Sequence, residues 1–149
     1  MDTIKKIVKD RGLKLVFKNI GGYRGYLDYK NKKLIVNGDL SKRDLISLVF
    51  HELGHLYCYN NKKYKSFHVV GDLTEIEKKT RVLTAWKAEK YVDDWGEKEM
   101  KKYYPKLKYI KAFMVCEKNK IYVRNLYKHL MCGLSLTEFE ESPNNPYNH

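Results

Sequence analysis

An α+β fold is predicted by three features of the sequence. Short apolar, β-branched runs cluster before residue 40. Two long stretches with apolar residues at helical spacing follow. Gly, Asn and Asp mark the transitions between them. The expected architecture is a short antiparallel sheet packed on two long helices. The chain has 149 residues, 43% of them hydrophobic, which suits one domain with a modest core. That domain is expected over residues 1–133, with an acidic, irregular C-terminal tail over 134–149.

The elements are predicted in this order. Thr3 to Asp10 reads as a short amphipathic helix stopped near Gly12. LKLVF (13–17), YRGYLDY (23–29) and KLIVN (33–37) read as strands, separated by turns at Gly21-Gly22 and around Asn31. Ser41 is a good N-cap with Asp44 three residues on. Leu45, Ile46, Leu48, Val49, Leu53 and Leu56 then follow at helical spacing, so a helix is expected to about Tyr59. Tyr64 to Val70 fits a short strand or a loop. A second long helix is expected from Thr74, with Glu77 in a capping box, to about Tyr103. Pro105 stops it, or Gly96 breaks it earlier. AFMVC (112–116) is apolar, and KIYVRNLYKHLMCG (120–133) reads as a last helix ended by Gly133.

The formal net charge is +12. Residues 134–149 hold Glu138, Glu140 and Glu141 and no Lys or Arg, so every Lys and Arg lies before them. Such a field favours acidic partners, and direct nucleic-acid binding is compatible with it. A Lys-rich solubilising surface is the preferred reading, because the lysines are scattered and no nucleic-acid motif accompanies them. No run of about 18 apolar residues predicts a membrane span. The N-terminus MDTIKKIVKDRG has no apolar signal-peptide core, so a cytoplasmic protein is expected. Cys58, Cys116 and Cys132 form no CxxC pair and read as ordinary thiols.

The stretch VFHELGHLYCY (49–59) places His51, Glu52 and His55 in an apolar helical run. HELGH fits HExxH. Positions i and i+4 share a helix face, so the two imidazoles can hold one metal ion. Glu52, about 100° round the helix, misses the ion but reaches water bound to it. Surface histidines beside an ion-paired glutamate would match the same pattern. The apolar context argues against that, because burying these groups without partners is costly. A catalytic zinc needs a third protein ligand. His68, Asp72, Glu75, Glu77, Glu89, Asp93 and His129 are the downstream candidates. AEKYVDDWG (88–96) stands out, since Glu89 and Asp93 again share one helix face. Glu89 can ligate, and Asp93 can accept the free N–H of a ligand histidine.

HELGH followed by ExxxDxWG resembles the gluzincin arrangement, and most closely the ImmA/IrrE family of small prokaryotic and phage metallopeptidases. That family has a short hairpin ending in a strand such as KLIVNGDL, then the HExxH helix, then a helix with a glutamate ligand. The resemblance covers about Leu13 to Gly96. Val92-Asp93-Asp94-Trp95-Gly96 departs from the family's usual residues after the glutamate, and 34 residues separate His55 from Glu89. The resemblance implies a zincin-like fold and a Zn2+ ion on His51, His55 and Glu89. It implies Glu52 as general base, and Asp93 hydrogen-bonded to a ligand histidine. It also implies that the strand before the active helix, 33–37, is an open edge that pairs with an extended peptide. A second donor to the oxyanion is expected. Thirteen tyrosines leave the choice among them open, and His129 is the histidine candidate.

The expected function is zinc-dependent hydrolysis of peptide bonds in a protein substrate, such as a DNA-binding transcriptional regulator. The alternatives are a basic, DNA-associated protease of the SprT type, and a catalytically silent zincin-like binding module. A glutamate third ligand argues against the first alternative, and an intact Glu52 against the second.

Overall fold

The computed structural model describes residues 1–21, 24–63, 74–111, 118–133 and 136–148. The ambiguous 64–70 segment, the apolar 112–116 run, His68, Asp72 and Cys116 lie outside the described residues. The helix α1 (Asp2–Asp10) buries Ile4, Ile7 and Val8. It ends at Gly12, whose φ of 77° favours glycine. Three strands follow: β1 (Lys14–Lys18), β2 (Gly25–Asp28) and β3 (Lys33–Asn37). The α+β class is as expected.

The sheet, however, is mixed rather than antiparallel. Its order is β1-β3-β2, with β2 antiparallel to β3 and β1 parallel to it. The reason lies in β3. Leu34, Ile35 and Val36 are consecutive and all buried, so this strand is apolar on both faces. Such a strand belongs in the middle of a sheet. A tight turn returns the chain from β2 to β3, where the Asp28 carboxylate accepts from the amide N and Nδ2 of Asn31. That uses one side of β3. β1 takes the other side, and its chain direction makes the pair parallel, Lys14 opposite Lys33 and Lys18 opposite Asn37. Residues 33–37 are therefore not an open edge. Among the described residues the open edges belong to β1 and β2.

Helix α2 (Lys42–Asn60) starts where Ser41 Oγ accepts from the Asp44 amide at 3.2 Å. It packs on the sheet and on α3, and most of its residues are buried, including Leu45, Ile46, Val49, Phe50 and Leu53. Helix α3 (Glu75–Tyr103) starts where Thr74 Oγ1 accepts from the Glu77 amide. Gly96 does not break it. Instead it lets α3 press on α2, since a Cβ there would lie 3.0 Å from the Phe50 carbonyl oxygen. Gly54 does the same from α2, where a Cβ would lie 2.8 Å from Val92 Cγ1. Two missing side chains thus bring the helices to close range.

After Pro105 the chain returns along α2. Helix α4 (Lys118–Met131) packs on α3, with the Trp86 and Tyr127 rings stacked 4.4 Å apart. The expected irregular tail is partly ordered: α5 (Leu136–Glu140) and a 3-10 turn over Pro146–Asn148 lie on α4. The cause is Phe139, whose ring is fully buried. Asn125 Nδ2 also donates to the Asn144 carbonyl at 2.7 Å. Among the described residues no helix is long and apolar enough to cross a membrane.

Candidate metal centre

The α2–α3 crossing brings His51, His55 and Glu89 together. The helical repeat stacks His51 and His55 one turn apart, and the α3 stripe Glu89, Val92, Asp93, Gly96 and Met100 faces α2. His51 Nε2 lies 3.1 Å from His55 Nε2 and 3.1 Å from Glu89 Oε2. His55 Nε2 lies 3.2 Å from Glu89 Oε1. These three residues form a group able to hold a metal ion. An ion holding such donors at about 2.0–2.1 Å would space them about 3.0 Å apart on an octahedral face and about 3.3 Å apart in a tetrahedron. The His51–His55 separation fits a first-row metal or magnesium by size, the two Glu89 separations are to different carboxylate oxygens, and a donor set of two imidazoles and a carboxylate suits the transition metals and zinc.

Proton placement points the same way. Asp93 Oδ1 lies 2.9 Å from His51 Nδ1 and accepts a second hydrogen bond from Tyr109 Oη at 2.8 Å. A carboxylate only accepts, so His51 carries its proton on Nδ1. Its Nε2 therefore presents a lone pair to the cluster when the ring is neutral. Glu89 Oε2 presents another, and it is buried with no hydrogen-bond partner among the described residues. The 3.1 Å approach of these two atoms is an ion pair when His51 is protonated, and when the ring is neutral it is a meeting of two acceptors that a cation would resolve. Burial pushes the Glu89 carboxyl up, but charge on His51 and His55 outweighs it and holds the group well below the ordinary carboxylate range.

Glu52 follows His51 on α2 and is buried, with no hydrogen bond or ion pair to any described residue. Tyr29, in the β2–β3 turn, stacks on Tyr59 with ring centroids 4.4 Å apart. Its phenol is pushed up to about 12, first by burial and then by the negative charge of Glu52. Tyr29 therefore sits in the field of Glu52, a role that thirteen tyrosines concealed in the sequence.

The structure thus brings His51, His55, Glu89 and Asp93 together as anticipated. His129 lies outside the three-residue group, and its ring packs edge-on against Phe139. Tyr109 is the partner that sequence reasoning missed. It stands 16 residues beyond Asp93, past the turn at Pro105, in a segment without periodicity. No family model matches the chain, and neither curated proteins nor solved structures returned a significant match.

Proposed function

We propose that the chain is a zinc-dependent metallopeptidase of the ImmA/IrrE-like type, acting on a protein substrate. The observation that carries this reading is the conjunction of a His-His-Glu donor group with an uncommitted, buried Glu52 one residue from a ligand. The donor spacing alone also suits iron(II). A carboxylate base beside the metal assists hydrolysis and has no part in oxygen chemistry, so Glu52 favours the hydrolytic reading.

His51, His55 and Glu89 would hold the ion. When bound, zinc supplies Lewis acidity, lowering the pKa of water to about 7 and drawing charge from a carbonyl. Glu52 takes the proton from the attacking water and delivers it to the leaving amine. Asp93 keeps the His51 proton on Nδ1, so the ring presents Nε2 throughout. Tyr29, which feels the charge of Glu52, is the tyrosine candidate for donor to the developing oxyanion, and His129 is the histidine candidate. An extended substrate would pair with the open edge of β2. Asn37 N donates to Arg24 O, so by the antiparallel register the Gly25 and Leu27 backbone groups point outward there. The net charge of +12 favours a substrate with acidic surroundings, such as a DNA-bound regulator.

The test is a metal analysis beside a casein digest for wild type, Glu52→Gln and His51→Ala. Wild type should hold about one zinc and cleave. Glu52→Gln should keep zinc while cleavage falls by about 10²–10⁴. His51→Ala should lose both. Cleavage by Glu52→Gln at the wild-type rate would remove Glu52 as the base. Zinc retained by a wild type that cleaves neither casein nor a repressor would favour a binding module.

A further inference from the structure

We propose that Tyr109 is a positioning residue, and that the 104–111 segment sets the metal affinity of a site to which it contributes no ligand. This rests on the metal reading above and goes beyond it by naming what holds the histidine in place.

The segment is anchored to α2 on both sides of Tyr109. Arg43 Nε donates to the Lys108 carbonyl at 3.1 Å, and the Ile110 amide donates to Ser47 Oγ at 3.0 Å. Both α2 partners lie upstream of His51, and Ser47 is one helical turn before it. Leu107 packs on the core beside them. Between these anchors the Tyr109 side chain is buried and runs to Asp93. A Cβ on residue 96 would lie 2.9 Å from the Tyr109 hydroxyl, so Gly96 leaves the space in which the ring ends.

The chemistry is specific. Tyr109 and His51 donate to the same oxygen, Asp93 Oδ1. One carboxylate oxygen held from two directions has little freedom to rotate, and its position fixes the plane of the His51 ring. The ring plane in turn aims Nε2 at Glu89 and His55. Burial, together with the charge on Asp93, pushes the phenol far up, so Tyr109 stays protonated and donates across the whole usable pH range. Coupling of this kind is reciprocal. If the segment tightens the site, metal in the site tightens the segment.

The experiment uses the full chain with cobalt(II) as the metal probe. Tyr109→Phe keeps the ring and removes the hydroxyl. Cobalt affinity should fall roughly threefold to tenfold, below the 10–100-fold typical of changing a direct partner of a ligand. The visible cobalt bands should shift. In wild type, cobalt should slow exchange of the Ile110 amide proton, and this effect should shrink in Tyr109→Phe. Phe139→Ala, in α5 and outside this segment, is the packing control. It should lower thermal stability and leave cobalt affinity and spectrum unchanged. If Tyr109→Phe does not fold, Ser47→Ala serves instead, because it frees the Ile110 anchor. It should lower cobalt affinity about twofold to threefold, an effect smaller than a direct partner gives. A wild type that binds no cobalt overturns the metal reading and this proposal together. A wild type that binds cobalt, with Tyr109→Phe or its substitute Ser47→Ala identical to it in affinity and spectrum, overturns the role of Tyr109 alone. So does Phe139→Ala reproducing the Tyr109→Phe spectrum.

Discussion

Gly54 of α2 lies so close to Val92 of α3 that a Cβ at position 54 would sit 2.8 Å from Val92 Cγ1 and 3.0 Å from the Val92 carbonyl oxygen. The methyl group can turn aside, but the backbone oxygen cannot. Gly54→Ala should therefore push the helices apart near the ligands. Overpacking costs about 1–3 kcal/mol, and the better helix propensity of alanine returns up to about 1 kcal/mol. Net stability should fall by roughly 0–3 kcal/mol in urea unfolding. Zinc affinity should fall at least about tenfold, since a ligand displaced by a few tenths of an ångström no longer meets the others. A variant that binds zinc as wild type does would show that the crossing tolerates the extra carbon.

Removing the metal should destabilise the protein through mass action. At free zinc about 1,000 times the dissociation constant, binding adds about 4 kcal/mol. For a chain of this size that corresponds to roughly 8–16 °C in melting temperature. Thermal melts with zinc and with a chelator should differ by that order, and the difference should vanish in His51→Ala. Equal melting temperatures for wild type in both conditions would argue against the site.

Acid should act on the metal-free protein through Glu89. Its folded-state pKa is depressed, with burial opposing and the histidine charges outweighing it. The unfolded chain therefore binds the proton more readily. The sign follows: the stability Glu89 contributes is present above the ordinary value of 4.5, and it is lost as pH falls through the lower folded value. Apo wild type should gain on Glu89→Gln between pH 3 and about 5 in denaturant titrations. A constant gap across that range would mean that Glu89 titrates normally.

Phe139 tests the ordered tail. Its ring is fully buried against α4, where it meets His129 edge-on at 5.3 Å between centroids. Phe139→Ala should cost about 3–5 kcal/mol of stability by denaturant unfolding. Zinc affinity should be unchanged at temperatures where the variant is folded, because His129 is outside the ligand group. A loss below about 1 kcal/mol would return this segment to a frayed terminus.

Local chemistry made much of the fold legible. Ser41 with Asp44 and Thr74 with Glu77 mark helix starts that the structure reproduces, because a cap is decided within four residues. The candidate metal donors of α2 are legible for the same reason, since His51 and His55 are joined by a helical turn. Strand order was not. Alternation tells which face a strand buries, but not which strand lies beside it, and only the continuous burial of Leu34, Ile35 and Val36 puts β3 in the centre. The roles of Gly54 and Gly96 are not legible in sequence, because a missing side chain has meaning only against its neighbour in space. Tyr109 reaches Asp93 across a turn, where no period connects the two.

The central place of β3 has a consequence for how the molecule behaves in company. Among the described residues the three-stranded sheet ordered β1-β3-β2 has two unclosed sides, and each is a template on which another copy can add a strand. β1 is bracketed by Lys14 and Lys18, and β2 is only four residues long. With a net charge of +12, copies repel one another at low ionic strength. At about 1 M salt that repulsion reaches only about 3 Å. Dispersion of this chain is therefore a colloidal property supported by its lysines, and self-association is the behaviour that concentrated salt or charge-neutralising modification would bring out.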